Sequence, residues 1–389
     1  KPFAGVNGSG KHNNWSISTD TGKNLLEPGD TPSQNAQFLL FLTAVIKAVD
    51  EYQGLLRMSV ASAGNDHRLG ANEAPPAIMS VFLGDELEAV VEAIESGHDY
   101  HDKKKKMMSI GATVLPHISR DTTDRNRTSP FAFTGNKFEF RSLGSSASIS
   151  GPNIILNTIV AEALSEYADK LEGAKDFDAA LNKLIREELK AHKRIIFNGN
   201  GYGEEWLVEA KKRGLLNLVS TVEAVEAFKE KKSIEVFEKH GVYTKTEIMA
   251  RYEILLENYY KTINIEALTL LDMVKGDITY AAYEYETKVA STVAAKQAVL
   301  PKSAAKTEEA LLKQLSDLTA SLDDRAKALE TVIKKGESIT EVAKLAKYHR
   351  EKVCTAMNEL REVVDSLEEL IPSAIWPYPT YGEILYSVR

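Results

Sequence analysis

The feature that most constrains the fold is a helical periodicity that runs from Pro152 almost to the end of the chain. Proline suits the first turn of a helix, and the segment after it repeats apolar residues at helical spacing. Further helices are predicted over 177–193, 204–213, 220–239, 245–298, 305–335 and 338–370. Gly336 lies between the last two, where a helix end is expected, and both are rich in Leu, Ala, Val and charge. This pattern predicts an antiparallel helical hairpin.

The first 150 residues mix turns, helical patterns and β-like segments. Residues 1–36 are rich in Gly, Asn, Asp and Pro and are interpreted as turns. Helical patterns follow at 36–60 and 84–97, and β-like segments at 112–118, 131–135 and 137–143. In the last segment, alternation places Lys137, Glu139 and Arg141 on one face and the two phenylalanines on the other. The chain is therefore predicted to be α+β.

Composition argues against two classes of partner. The 48 Lys and Arg residues against 56 Asp and Glu give a net charge of −8, whereas nucleic-acid-binding proteins usually carry a basic excess. No apolar run approaches the roughly 18 residues that a membrane helix needs. The longest, FLLFLTAVIKAV at 38–49, contains Thr43 and Lys47 and is interpreted as a half-buried helix. We therefore expect neither a nucleic acid nor a membrane as partner.

Cysteine usage and the start of the sequence bear on the setting of the protein. Cys354 is the only cysteine, which excludes an internal disulfide and fits a reducing cytoplasm. Its helical context indicates a buried structural thiol. The sequence begins without Met or a signal peptide, and its first residues, KPFAGVNGSG, are typical of the interior of a functional segment. We therefore expect a cytoplasmic protein of which this chain is a piece.

The stretch GVNGSGKHNNWS, residues 5–16, combines glycines with lysine, histidine and asparagine. Glycine lets other groups approach the backbone closely, and His and Asn offer ligating and hydrogen-bonding atoms. Two interpretations are open at this point: a polar loop that feeds an active site, and a plain surface turn.

Other polar stretches carry side chains with chemical potential. NDHRLGANEAPP, residues 65–76, places Arg68 and Glu73 on a loop punctuated by Gly and Pro, which suits a lid or a base. DRNRTSP, residues 124–130, has arginines whose planar forks suit phosphate and carboxylate oxygens. An ordinary surface loop is the alternative for each. GNGYG at 199–203 lacks the features of a phosphate loop and is given no function.

The order of these motifs, together with KFEFR at 137–141, resembles the carboxyl half of glutamine synthetase. The family pattern is Lys-Pro, Asn-Gly-Ser-Gly-x-His, an Arg-Leu loop ending in Glu-Ala-Pro, Arg-Asn-Arg-Ser, and a Glu-x-Arg strand. All five occur here in that order between residue 1 and about residue 170. The Trp after KHNN and the long helical extension resemble the type III branch of bacteria.

The resemblance implies an architecture: the carboxyl part of the glutamine synthetase catalytic domain, an antiparallel sheet with helices, followed by a long and mostly α-helical extension. The predicted domains are the catalytic part at 1–175, a helical region at 176–302, the helical hairpin at 303–371 and an aromatic, Pro-rich docking tail at 372–389.

The resemblance implies a metal and nucleotide site. A Mg²⁺ or Mn²⁺ ion near the ATP phosphates would be ligated by His12 and Glu139. The positions that match the nucleotide contacts of the family are Asn14, Ser16, Arg127 and Lys137. Many members have histidine where Asn14 stands, and Ala132 replaces an arginine that is usual in the family, so the phosphate clamp differs here.

The resemblance also implies substrate-binding and catalytic residues. Asn7, Gly8, Arg68 and Arg141 match positions that bind glutamate. Glu73 matches the flap acid that shields the site and takes a proton from ammonium. The predicted catalytic residues are Glu73, Arg68 and Arg127. The spacing from Arg68 to Glu73 is one residue shorter than in the commonest family pattern.

The implied reaction is the ATP-dependent ligation of ammonia to glutamate through γ-glutamyl phosphate. The family implies a homo-oligomer, expected to be a dodecamer of two stacked rings with active sites between subunits. The amino-terminal part of the family and its further metal-ligating glutamates are missing from this sequence, so the piece alone is expected to be inactive. Two alternatives are a ligase that joins glutamate to another amine, and a non-catalytic relative that acts in assembly or regulation.

Overall fold

The computed structural model describes residues 10–70, 74–96, 107–108, 118–119 and 128–386. The chain divides into two compact units, one ending at Tyr252 and the other beginning at Glu253. Helices dominate both, and a small sheet lies in the first, which confirms the predicted α+β class. Of the predicted β-like segment 112–118, only Ile118 belongs to the described part.

A four-stranded sheet forms the β part of the first unit. Its strands, in spatial order, are β1 (Gly10–Trp15), β6 (Phe138–Gly144), β5 (Phe131–Phe133) and β2 (Val81–Phe82). β6 pairs antiparallel with both of its neighbours, and β2 pairs parallel with β5. The sheet is thus antiparallel as predicted except along its β2 edge. A separate antiparallel pair is formed by β3 (Met107–Met108) and β4 (Ile118–Ser119).

Strand β1 corrects the interpretation of residues 1–36 as turns throughout. Asn13 and Trp15 on one face of β1 are buried. Asn13 donates from Nδ2 to Oδ1 of Asn153 at 2.8 Å, and Trp15 donates from Nε1 to Oδ1 of Asn157 at 2.9 Å. The strand is held by amide partners rather than by an apolar face, and its composition therefore does not indicate a strand.

Strands β5 and β6 supply the aromatic core of the sheet. Phe131, Phe138 and Phe140 are fully buried, and the rings of Phe131 and Phe138 stack with their centroids 4.6 Å apart. Glu139 and Arg141 lie on the opposite face of β6, as the alternation predicts. The packed aromatic face fixes the register of β6 and so fixes which side chains face the site.

Helix α1 (Ala36–Glu51) forms the helical core of the first unit. It begins at Asn35, whose side chain accepts a hydrogen bond from the Phe38 amide at 3.0 Å. The helix packs against α5 (Ser150–Leu171) and α6 (Phe177–His192). Because two helices cover it, α1 is more deeply buried than predicted. The predicted helix 36–60 also divides at Tyr52, after which α2 (Gln53–Met58) begins.

The remaining helices of the first unit are short. They are α3 (Ala63–Asp66), α4 (Asp85–Ser96), α7 (Glu204–Lys212), α8 (Thr221–Ala224) and α9 (Lys231–Lys239). α5 begins at Ser150 rather than at Pro152, and the predicted helix 220–239 is interrupted between α8 and α9.

The second unit is built mainly from long helices. The boundary between the units falls within α10 (Lys245–Met273), which continues through a π-helical turn at Val274–Ile278 into α11 (Thr279–Val299). The helices that follow are α12 (Lys306–Gly336), α13 (Val342–Tyr348), a π-helical turn at His349–Val353, α14 (Cys354–Leu370) and α15 (Tyr381–Tyr386). α12 packs along α14, which confirms the predicted helical hairpin, and Cys354 is buried.

The aromatic tail contacts its own chain. Trp376 is buried, and the Tyr378 hydroxyl donates to Oδ2 of Asp277 at 3.0 Å within the second unit. Among the described residues, no helix combines the length and the apolar character that crossing a bilayer requires.

Candidate active site

The β1–β6 pair carries a β-bulge at the centre of the predicted site. Between the paired residues Lys11–Leu143 and Asn13–Phe140, β1 contributes only His12 while β6 contributes two residues. A bulge increases the local twist and redirects the side chains beside it, and bulges are frequent next to active sites. The irregularity therefore lies where the two metal-ligating candidates come together.

Glu139 is the centre of a polar cluster on this hairpin. Asn14 pairs directly with Glu139, so their side chains share one face with His12 and Arg141. Arg141 donates to Oε2 of Glu139 from Nε at 3.2 Å and from Nη2 at 3.0 Å. Nδ1 of His12 lies 3.6 Å from the same oxygen. The Glu139 side chain is 13% exposed and that of His12 is 57% exposed, so the cluster opens to solvent on the imidazole side.

Arg68 joins this cluster from the turn after α3. It donates from Nη2 to the backbone carbonyl of Arg141 at 3.2 Å and from Nη1 to Oδ1 of Asn65 at 3.3 Å. The residue is 6% exposed, and burial lowers the pKa of its guanidinium from the ordinary value. Within the described ranges, no carboxylate forms an ion pair with Arg68. A buried cation held by neutral oxygens is suited to binding an anion.

Gly10 shows why glycine is needed at the start of β1. A Cβ atom there would lie 1.9 Å from Nη2 of Arg68 and 2.8 Å from the Leu143 carbonyl oxygen. Only a residue without a side chain lets the guanidinium cross the strand at this distance. Of the two interpretations of residues 5–16, the described part thus favours a segment that lines the polar cluster.

The candidates for nucleotide contact lie at the other end of the hairpin. Ser16 donates from Oγ to Oδ1 of Asn24 at 2.8 Å and lies 3.1 Å from the Asn136 carbonyl oxygen. Lys137 follows directly in the turn between β5 and β6, where its carbonyl accepts from the Thr134 amide at 2.8 Å. The structure thus brings Ser16 and Lys137 to one end of the hairpin. Their roles remain predictions.

Four of the predicted site residues, Asn7, Gly8, Glu73 and Arg127, lie outside the described residues. Their roles remain predictions as well. The described neighbours of two of them, Gly70 before Glu73 and Thr128 after Arg127, belong to the first unit.

The donor set at His12 and Glu139 fits a divalent cation. A carboxylate oxygen and an imidazole nitrogen 3.6 Å apart can both reach one ion at ordinary metal–ligand distances of about 2.0–2.2 Å. Among the described residues, no third His, Cys, Asp or Glu completes a metal-binding group with them. Mg²⁺ is commonly bound by few protein ligands together with water and substrate phosphates, which matches this arrangement.

Asn65 is a residue of the cluster that sequence reasoning missed. It is 4% exposed, and its side chain contacts both Arg68 and the β6 bulge. Its position three residues before Arg68 in NDHRLG is the available signal, but that spacing alone does not distinguish it from a turn residue. Tyr202 from the GNGYG stretch also lies near Arg68: burial raises the pKa of Tyr202, and the charge of Arg68 offsets part of this rise.

Comparison with known proteins finds similarity to glutamine synthetases. The family model described as the glutamine synthetase C-terminal domain matches residues 180–297. A glutamine synthetase of Butyrivibrio fibrisolvens is 46% identical over 398 residues, covering 100% of this chain and 56% of the relative. A type-3 glutamine synthetase of Dictyostelium discoideum is 45% identical over 397 residues, covering 99% of this chain and 54% of the relative. A glutamine synthetase of Bacteroides fragilis is 38% identical over 404 residues, covering 100% and 55%.

Over its whole length, the chain is similar to glutamine synthetases. The similarity extends over the hairpin cluster and the helical part alike, because the alignments to these glutamine synthetases cover the whole chain or nearly so. The family model itself matches only the helical part that follows the sheet. The chain spans about half the length of the curated relatives it matches.

Proposed function

We propose that the protein to which this chain belongs is a glutamate–ammonia ligase, which forms glutamine from glutamate, ammonium and ATP. One observation carries the proposal: the buried guanidinium of Arg68 is bonded to the carbonyl of Arg141, whose side chain binds the carboxylate of a Glu139–His12 pair that fits a divalent cation. Anion binding and cation binding at one point are what phosphoryl transfer to a carboxylate requires.

The chemistry explains why both are needed. The γ-carboxylate oxygen of glutamate attacks the terminal phosphorus of ATP, and ADP leaves. Ammonia then displaces phosphate from the resulting γ-glutamyl phosphate and forms the amide bond. Both steps move negative charge between oxygens, which nearby cations stabilise. The bound divalent ion would supply positive charge at the phosphates.

The residues of this chain have separate tasks in that reaction. Glu139 and His12 would hold the metal ion. Arg141 would keep Glu139 oriented and would also bind the carboxylate of the substrate glutamate. Arg68 would bind substrate or the transferred phosphate from its buried position. Asn14, Ser16, Arg127 and Lys137 would contact the nucleotide, and Asn7 and Gly8 the glutamate. Glu73 would exclude water and take the proton from ammonium.

The assembly and the setting are part of the proposal. We propose a cytoplasmic homo-oligomer of two stacked rings, a dodecamer, with active sites between subunits. We also propose that this chain of 389 residues forms no glutamine by itself. This rests on the length of the chain, which spans about half of the curated glutamine synthetases that it matches.

The proposal is tested by glutamine formation in the whole protein. We expect activity that requires ATP and Mg²⁺ or Mn²⁺, and a loss of at least about 10-fold in metal affinity in Glu139→Gln. Glu187→Gln is the matched control, because Glu187 is a 63% exposed carboxylate on α6. Metal affinity is measured by calorimetry beside the activity.

Absence of glutamine formation by the whole wild-type protein would refute the ligase proposal. Unchanged metal affinity in Glu139→Gln would refute the assignment of Glu139. Glutamine formation by the 389-residue chain alone would refute its proposed inactivity.

A further inference from the structure

The turn that carries Arg68 is held by a buried asparagine with a fully used amide group. Asn65 donates from Nδ2 to the carbonyl of Val60 at 2.7 Å and to the carbonyl of Ser142 at 2.8 Å. Its Oδ1 accepts from Nη1 of Arg68 at 3.3 Å. An amide side chain has two N–H donors and one oxygen acceptor, and each kind is engaged here.

The three partners of Asn65 come from three different parts of the unit. Val60 follows α2, Ser142 is in the β6 bulge beside Arg141, and Arg68 belongs to the turn after α3. Arg68 in turn donates to the carbonyl of Arg141. The hydrogen bonds Asn65–Ser142 and Arg68–Arg141 therefore tie one guanidinium and one amide to consecutive carbonyls of the bulge.

The other side of the same turn has a different anchor. Asp66 accepts from Nη2 of Arg57 at 3.2 Å, from the Thr221 hydroxyl at 2.9 Å and from the Thr221 amide at 2.7 Å. These contacts fasten the turn to α2 and α8 and do not involve Arg68. The contacts of Asp66 thus serve as a control for those of Asn65, because they hold the same turn without contacting Arg68.

We propose that Asn65 is a positioning residue, which fixes the Arg68 guanidinium against the β6 bulge so that it faces the anionic substrate. The identity of the anion rests on the proposed function, whereas the positioning of Arg68 rests on the hydrogen bonds alone. Without the Asn65 oxygen, Nη1 of Arg68 loses its fixed acceptor, and rotation of the guanidinium becomes possible. Preorganised charge is effective in catalysis because it need not reorient during the reaction.

The test is a double-mutant cycle in the whole protein, with Asn65→Ala and Arg68→Ala separately and together. We expect Asn65→Ala to lower kcat/KM about 10-fold or more, as for a lost hydrogen bond to a charged group. In the Arg68→Ala background, Asn65→Ala is expected to have little further effect, because it acts through Arg68. Asn65→Leu, which is similar in size and removes the oxygen that Arg68 contacts, serves where Asn65→Ala does not fold.

Thr221→Val is the matched control, because it removes one hydrogen bond from the Asp66 side of the turn. Its effects are expected to add to those of Arg68→Ala, with a lower melting temperature. Additive effects of Asn65→Ala and Arg68→Ala would overturn the positioning role and leave a structural one.

A readout without activity separates this proposal from the ligase proposal. The rate at which phenylglyoxal modifies Arg68, measured by mass spectrometry, is expected to rise several-fold in Asn65→Ala and not in Thr221→Val. This result would support the positioning role even if the wild type formed no glutamine. Equal modification rates in wild type and Asn65→Ala would overturn it whatever the activity.

Discussion

We predict that the stability of the first unit depends on pH through His192, which belongs to a buried charge cluster on α1 and α6. Nδ1 of His192 lies 2.8 Å from Oδ2 of Asp50, and Nε2 lies 3.4 Å from Oε2 of Glu188. Arg194 donates to both oxygens of the same aspartate at 2.9 and 3.1 Å. Nζ of Lys47 lies 3.9 Å from the same Glu188 oxygen. The imidazole therefore bridges two buried carboxylates.

These contacts move the pKa values in opposite directions. Burial alone would lower the pKa of His192, but its hydrogen bonds to Asp50 and Glu188 outweigh burial and raise the pKa to about 9. The hydrogen bond from His192, aided by Lys170, lowers the pKa of Glu188 to about 2. The protonated imidazole is thus the form that the folded state favours.

The raised pKa has a calculable effect on stability. The difference between about 9 in the folded state and 6.5 in the unfolded state corresponds to about 3 kcal/mol. Because the folded pKa is the higher one, this contribution is complete below pH 6.5 and is lost as the pH rises to about 9. For a unit of this size, it amounts to roughly 6–12 °C in melting temperature.

The assay compares the melting temperatures of wild type and His192→Asn between pH 6 and pH 9.5. Asparagine keeps a donor toward Asp50 and removes the titrating charge. We expect a large difference between the two melting temperatures near pH 6, which decreases steadily and is small near pH 9.5. A difference that stays constant across this range would refute the reasoning, because loss of packing alone does not depend on pH.

Two further predictions concern the sheet. Gly10→Ala is expected to displace Arg68 and to lower kcat/KM of the whole protein by at least about 10-fold, since the new Cβ would lie 1.9 Å from Nη2. Gly64→Ala, with nothing within 4 Å of its Cβ, is the control, and equal activity in both variants would contradict the prediction. Trp15→Phe removes the hydrogen bond to Asn157 and is expected to cost about 1 kcal/mol, measured by denaturant unfolding. An unchanged unfolding midpoint would show that this bond does not hold β1 in place.

Much of the helical architecture could be predicted because helical periodicity is a local signal. α6, α7 and α12 begin and end within one or two residues of their predicted bounds. Interruptions were harder to predict. The apolar pattern of residues 36–60 continues past the break at Tyr52, and the π-helical turn at Val274–Ile278 leaves no break in the pattern. Such departures depend on the helices packed alongside, which the local pattern does not specify.

The site shows the same division between local and distant information. The spacing of Glu139 and Arg141 predicts one shared face, because strand alternation is local. The contact between Arg68 and the Arg141 carbonyl joins residues 73 positions apart, and no spacing rule predicts it. The proposed role of Asn65 is hidden for the same reason, since its partner Ser142 lies 77 positions away and is recognisable only once β6 is placed against α3.

The charge of the cluster is opposite in sign to the charge of the chain. The chain carries −8, yet the described cluster holds the guanidinium groups of Arg68 and Arg141 against one carboxylate, Glu139. A local excess of positive charge in a low-dielectric setting raises the concentration of anions at the cluster. The rest of the chain, which is negatively charged, does not attract anions. A divalent cation at His12 and Glu139 would increase this excess. We therefore expect anionic ligands to be directed to the bulge between β1 and β6, and under the proposed function these ligands would be glutamate and ATP.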